Sequence, residues 1–284
     1  MRMSAKTAAT WILILLLCAG TLAGVFWADR HKAESPEAPQ TQPEQDPSNE
    51  QGGEENSAEE EQKQEEEQEQ EKLAAEFAKE KQEWYLLLAN VDHPLPEDFM
   101  PETQEVQNGY QLDSRIAVLA QQMIEDARQG GVELLVCSAY RSIEKQTTLF
   151  DKMKQDYLAQ GMSEEEAYTK TATAIAIPGT SEHQTGLAAD IVTPSHQTLD
   201  PEFADTAAGQ WLLEHAHEYG FVLRYPEEKQ DITKIIYESW HFRFVGKTHA
   251  KLMKEQNLCL EEYLELEVPE GYPGIQDPFE DPQE

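Results

Sequence analysis

The 284-residue sequence predicts an α+β domain, with helices packed on a small antiparallel sheet, preceded by a transmembrane helix and a disordered spacer. Three observations predict it. An uncharged apolar run lies near the N-terminus, and a stretch dominated by Glu, Gln and Pro follows it. Beyond that, segments with helical spacing come first and strand-like apolar runs mostly later, the order of an α+β rather than an alternating α/β chain.

Residues 1–7 carry Arg2 and Lys6 and read as a short cytoplasmic stub. Residues 8–28 contain no charge, and as a helix they rise about 31 Å, the hydrocarbon thickness of a bilayer. With cations before the run and a cation-poor tract after it, the topology predicted is a single pass with the C-terminal domain outside the cell membrane. Two other readings remain open: a signal segment cleaved near Ala19–Gly24, leaving a secreted protein, or a lipoprotein at Cys18, where Leu17 occupies a position that pattern reserves for a small residue. All three export the rest of the chain.

Residues 29–71 read as a disordered spacer, because 15 acids against the single Lys63 between 34 and 71 leave almost no large apolar side chain to bury. An acidic interaction tract is the other reading of this segment. Apolar residues return between Lys72 and Leu88, which suits a short helix opening a domain over 72–268. The net charge of −33 argues against nucleic-acid binding, which needs cationic surface to displace phosphate counterions. Three cysteines make no disulfide framework; only Cys137 and Cys259 could pair within the domain, and free buried thiols are the preferred reading.

Within the domain, apolar positions at 112, 116, 119, 120, 123, 124 and 127 predict a helix closed by Gly130-Gly131. Val132–Cys137 reads as a buried strand. Ser142–Gln160 reads as a helix, and Ser163 opens another that runs to Ile177 before Pro178-Gly179. Leu187–Val192, Phe221–Leu223 and Trp240–Val245 read as strands, with helices over Asp205–Tyr219 and Lys247–Gln256. Residues 269–284, with four prolines, read as a loose acidic tail.

Two of the eight histidines sit in unusual company, in Ser181-Glu-His183-Gln-Thr-Gly186-Leu-Ala-Ala-Asp190 and in Glu238-Ser-Trp240-His241. Imidazole and carboxylate suit zinc, and a catalytic zinc needs three protein ligands with a position left for water. His183, Asp190 and His241 could supply that set. Glu238, three residues before His241, is close enough to serve as a general base, provided it lies in the turn before the strand, since residues three apart in a strand face opposite sides.

These blocks, together with Ser138-Ala-Tyr-Arg141-Ser-x3-Gln146 and Phe221-Val-Leu-Arg224-Tyr225-Pro, resemble the VanY-type D-alanyl-D-alanine carboxypeptidases, the zinc peptidase family that includes VanX dipeptidases and L,D-carboxypeptidases. The resemblance covers roughly residues 85–265. It implies that His183, Asp190 and His241 bind Zn2+, that Glu238 is the catalytic base, and that Arg141 stabilises the oxyanion or orients the scissile carbonyl. It also implies that Gln146, Ser181 and Ser138 contact substrate. By their residue chemistry alone, Arg224 and Arg243 read as structural ion-pair residues and Trp240 as packing that fixes the Glu238–His241 geometry. His93, His196, His215, His217 and His249 read as surface or packing residues.

The function expected is an exported, monomeric zinc D,D-carboxypeptidase acting on the peptidoglycan stem peptide. The alternatives are an L,D-carboxypeptidase acting on tetrapeptide stems, an endopeptidase cutting within the stem, and a zinc-containing wall-binding module without turnover.

Overall fold

A computed structural model describes residues 51–281. The stub, the apolar run at 8–28 and the first part of the spacer lie outside the described residues. Among the described residues, no helix is long and apolar enough to cross a membrane.

The first element departs from expectation. Helix α1 runs Gln51–Glu80, so the distal part of the predicted spacer is helical. Low hydrophobicity argues against a packed core, but not against a helix, and Glu, Gln, Lys and Ala are all strong helix formers. The side chains from Glu60 to Lys72 are exposed, and the i,i+4 pair Lys63–Glu67 at 3.8 Å adds little. What anchors the helix is its last two turns. Phe77 is fully buried, edge-on to Tyr263 and tilted against Tyr272, with ring centroids 5.4 and 5.1 Å away. Glu80 accepts hydrogen bonds from Tyr85 and Tyr272.

Tyr272 belongs to the segment predicted to be a loose tail, and that expectation is also corrected. Tyr272 is buried, Phe279 lies over Trp84 and Phe244, and Lys247 pairs with Asp281 at 2.8 Å. Proline density forbids regular structure here, yet it leaves the aromatics free to dock.

A hairpin of β1 (Thr103–Gln107) and β2 (Tyr110–Asp113) follows, turning at Asn108-Gly109 with φ of 53° and 83°. Both positions need the left-handed region, which Asn and Gly tolerate best. The helix predicted from Leu112 therefore begins later, as α2 (Ala117–Gln129). Next come β3 (Leu135–Ser138), α3 (Ile143–Ala159) and α4 (Glu164–Ala174). Ser142 caps α3 through the Lys145 amide, and Ser163 with Glu166 forms a reciprocal capping box on α4.

The remaining elements are β4 (Ala188–Val192), α5 (Ala207–His215), β5 (Phe221–Leu223), α6 (Gln230–Thr233), β6 (His241–Phe244), α7 (Lys247–Gln256) and α8 (Leu260–Glu265). The main sheet is antiparallel in the order β3-β4-β6-β5. Its core includes Ile116, Met123, Val136, Ile191, Phe242 and Phe244. Register is the feature that matters for function: Asp190 on β4 pairs with Ser138 on β3 and with His241 on β6, so these residues form one row across three strands. Cys137 and Cys259 are both free thiols, and burial, with Asp190 nearby, pushes the Cys137 thiol up to about 12.

Candidate active site

The row places Asp190 beside His241, and a one-turn 3-10 helix at Glu182–Thr185 delivers His183 from the other side. That turn ends at Gly186, whose φ is 73°; a Cβ there would meet the Asp113 amide nitrogen at 3.0 Å. Only glycine permits the chain to reverse this close to β2 and enter β4 with Asp190 aimed inward. Ligand atoms of His183, Asp190 and His241 all lie within 4.8 Å of one another, and all three residues are buried. The His183 and His241 rings stand edge-on at 4.9 Å.

The surroundings fix which nitrogen each ring offers. His183 Nδ1 lies 2.8 Å from the Ala139 carbonyl, leaving Nε2, which is 3.2 Å from an Asp190 carboxylate oxygen. His241 presents Nδ1 to Asp190 at 3.0 Å and directs Nε2 toward Glu182 Oε2 at 3.5 Å. His241 Nε2 and Glu182 Oε2 are both buried without a hydrogen-bond partner. A metal taking the Nδ1 lone pair leaves the proton on Nε2, where that carboxylate can accept it, so the orphaned pair is what a metal ligand with a carboxylate behind it requires. The donor set of two imidazoles and one carboxylate suits zinc.

Burial works against charging His183, and Arg141 adds to that, so its pKa falls and the ring is held neutral, as a ligand must be. Burial also opposes charge on His241, but Asp190 and Glu182 outweigh it and push the imidazole up to about 9 without metal. Glu238 lies in the turn before β6, as the strand argument required, with its carboxylate 3.7 Å from His241 Nδ1. Burial pushes its carboxyl up to about 8, His241 pulling the other way.

Arg141 donates to Gln146 Oε1 at 2.8 Å and to Ser138 Oγ at 2.7 Å, and lies 3.7 Å from Asp190. Gln146 in turn donates to the Ala176 carbonyl at 2.6 Å. All these groups but Ser138 face a cleft of about 410 Å³, together with Ser181, Trp240 and the apolar side chains of Leu149, Met153, Ile235 and Ile236. Ser138, expected to touch substrate, instead braces Arg141 from behind, because its place in the β3 row points it at the guanidinium. The histidines outside the two motifs stand apart from the site: His196 pairs with Asp200, His215 with Glu218, and His249 with Tyr263.

The residue that motif reading passed over is Glu182. It is fully buried and accepts from Arg224 Nε at 2.7 Å and Arg243 Nη1 at 2.8 Å, while its other oxygen faces His241. Arg224 also makes a two-pronged pair with Glu261, with distances of 2.7 and 2.8 Å. Arg224 and Arg243 are thus structural, as the sequence suggested. The signal that could have found Glu182 was there: two arginines in otherwise apolar strand segments require a buried countercharge.

The family described as VanY: D-alanyl-D-alanine carboxypeptidase matches residues 109–247, the span from the β1–β2 turn to the first residue of α7. A D-alanyl-D-alanine carboxypeptidase of Enterococcus faecalis is 39% identical over 189 residues, covering 66% of this chain and 68% of that protein. The chain belongs to the VanY family. It is accordingly a zinc metallo-carboxypeptidase. Among solved structures, a zinc complex of a variant of the vancomycin-resistance D,D-pentapeptidase VanY matches with a TM-score of 0.59 and 39% identity, over 64% of this chain and 99% of that one. The LD-carboxypeptidase LdcB matches with a TM-score of 0.56 and 36% identity, over 64% of this chain and 85% of that one. The VanY-family match does not include α1.

Proposed function

We propose that this protein removes the C-terminal D-alanine from peptidoglycan stem pentapeptides, outside the cell membrane, as a monomer tethered by residues 8–28. The observation that carries the reading is the convergence of His183, Asp190, His241, Glu238 and Arg141 on one cleft. A wall-binding module without turnover would need the first three but not the Glu238 carboxyl 3.7 Å from His241.

In this reading His183, Asp190 and His241 hold zinc. When bound, zinc supplies a Lewis acid, lowers the pKa of a water toward about 7, and favours the ionised form of Glu238. Glu238 takes a proton from the water that attacks the scissile carbonyl and returns it to the departing amine of D-alanine. Its upward-shifted carboxyl is suited to holding that proton in transit. Arg141, fixed by Ser138 and Gln146, places a guanidinium where negative charge develops on the carbonyl oxygen; losing one such donor costs roughly 3–4 kcal/mol of transition-state stabilisation. Ser181 and Gln146 line the cleft where the substrate's end would lie. Glu182 keeps the His241 ring in place.

The test is product mass. The soluble part, 72–284, incubated with zinc and a pentapeptide should release D-alanine, and a chelator should stop it. Release only from the tetrapeptide would assign the L,D reaction, which the likeness to LdcB makes the second reading. Internal cleavage would assign an endopeptidase. No release from either peptide, with wall binding intact in both wild type and Glu238→Ala, would overturn the catalytic reading.

A further inference from the structure

The main sheet has two edges, and among the described residues only one of them is closed. At β3 the side chain of Gln107 stands in for a neighbouring strand: its oxygen accepts from the Val136 amide at 2.8 Å and its nitrogen donates to the Leu134 carbonyl at 3.1 Å. At the other edge β5, Phe221-Val222-Leu223, has β6 on one side only. The Val245 amide donates to the Gly220 carbonyl at 2.8 Å, and the Arg224 amide to the His241 carbonyl at 3.1 Å. Gly220, Val222 and Arg224 therefore face β6, and the alternate residues, Phe221 and Leu223, turn their N–H and C=O groups away from the sheet. Among the described residues nothing hydrogen-bonds to those four groups. Lysine, proline or a bulge usually closes such an edge, and β5 has none of them.

Along this edge runs a groove of about 350 Å³. All three β5 residues line it, although Val222 points to the opposite face from its neighbours, so the groove follows the strand edge itself. Its floor is apolar, from Leu212, Ala216, Phe242 and Met253, and it shares no lining residue with the catalytic cleft. Its two ends are opposite in charge. Where β5 begins stand Lys254 and His217; the ammonium donates to the Glu214 carbonyl at 2.6 Å and lies 3.2 Å from His217 Nδ1, which fixes it at this rim. Where β5 ends, after Pro226, stand the exposed Glu227 and Glu228.

We propose that this edge is a docking site for an extended segment of a partner protein, added to the sheet as a fifth strand antiparallel to β5. The guest is apolar at alternate residues, basic toward its N-terminal end and acidic toward its C-terminal end. The unpaired backbone groups call for a strand, because polar main chain against an apolar wall costs free energy until it is paired. An antiparallel guest begins beside Glu227 and Glu228 and ends beside Lys254 and His217, so the two rims set its charge order.

The test titrates the full chain, in lipid nanodiscs, into the fluorescent heptapeptide Lys-Arg-Val-Tyr-Val-Asp-Glu. Binding should raise the peptide's anisotropy and slow hydrogen exchange at the Phe221 and Leu223 amides. N-methylating its two valines blocks one edge of the peptide strand, and N-methylating its tyrosine and aspartate blocks the other. One pair should weaken binding at least about tenfold and the other less than about twofold, since only one edge of a strand can pair with β5. Leu223→Pro, which removes an outward N–H and no bond to β6, should match the larger loss, and Lys254→Glu should weaken binding about fivefold. Equal effects of the two methylated pairs, no protection of the Phe221 and Leu223 amides, or no binding would overturn the proposal, and none of these readouts requires Leu223→Pro to fold. A stable dimer that protects the same two amides without peptide would also overturn it, by giving the edge to a second copy of the chain.

Discussion

Replacing Glu182 by Gln tests the buried charge network behind the site. The side chain keeps its shape, so no cavity forms, but the negative charge disappears. Arg224 retains its two-pronged pair with Glu261. Arg243 does not fare as well: its other contacts are the carbonyls of Tyr85, Leu87 and Phe244, and it is fully buried. Leaving one buried charge without its partner costs about 3–5 kcal/mol. With a urea slope of about 2 kcal/mol per molar, the unfolding midpoint of Glu182→Gln should fall by roughly 1.5–2.5 M. Burial alone would raise the Glu182 carboxyl, yet Arg224 and Arg243 hold it well below the ordinary range. Its contribution is therefore present above the unfolded carboxyl value and is lost as pH falls, so the penalty should be greatest near neutrality and shrink in acid. The same change removes the anionic acceptor facing His241 Nε2, and zinc affinity should drop about 10- to 100-fold. Two readouts separate the effects. Adding Arg243→Met should restore most of the stability, because the stranded cation is gone, but none of the zinc affinity. An unchanged urea midpoint together with unchanged zinc binding in Glu182→Gln would refute the reasoning.

Glu238→Gln should abolish turnover by at least about 100-fold with zinc retained, measured by product release beside metal analysis. In metal-free protein the raised carboxyl of Glu238 makes the folded state hold its proton between the ordinary 4.5 and about 8, so wild-type stability falls as pH rises through that window. Glu238→Gln lacks that slope and should gain on wild type between pH 5 and pH 9; a constant difference in urea unfolding at the two pH values would count against burial as the cause. His183→Ala and His241→Ala should each lose zinc and activity, and full occupancy by metal analysis in either would contradict the ligand set. Phe77→Ala should cost about 3–5 kcal/mol in urea unfolding, whereas deleting residues 51–71, whose described side chains are exposed, should leave the midpoint nearly unchanged. If the deletion destabilised as much as Phe77→Ala, the helix would depend on contacts other than its last turns.

What could be read without coordinates was what local chemistry dictates. Strands Phe221–Leu223 and Trp240–Val245 showed as apolar runs, α3 and α4 as segments opened by capping serines, and the metal triad as donor types at fixed spacings. The β1–β2 hairpin was hidden although Asn108-Gly109 announces such a turn, because the helical spacing that begins at Leu112 absorbed its second strand. Helix α1 was hidden for a different reason: composition measures whether a segment can bury surface, and a helix docked by two turns at one end needs almost no burial over the rest of its length. The tail's docking was hidden because it depends on single aromatics, Tyr272 and Phe279, whose partners lie nearly the whole domain away in sequence.

Glu182 shows where such reading can be pushed further. Its partners are 42 and 61 residues away, so no window of the chain contains them. But Phe221-Val-Leu-Arg224 and His241-Phe-Arg243-Phe each carry one arginine in a run otherwise built to be buried, and a buried guanidinium without a carboxylate would forfeit several kcal/mol. Some acid in the core must therefore answer both. Glu182 stands next to His183, in a turn whose residues are all buried. Placing the answering charge there makes the arginines that stabilise the sheet and the imidazole proposed to hold zinc share one carboxylate, one oxygen for each task. Fold stability and metal affinity are consequently coupled at Glu182, and a substitution at Arg224 or Arg243, neither of which meets zinc, should be felt at the metal through His241.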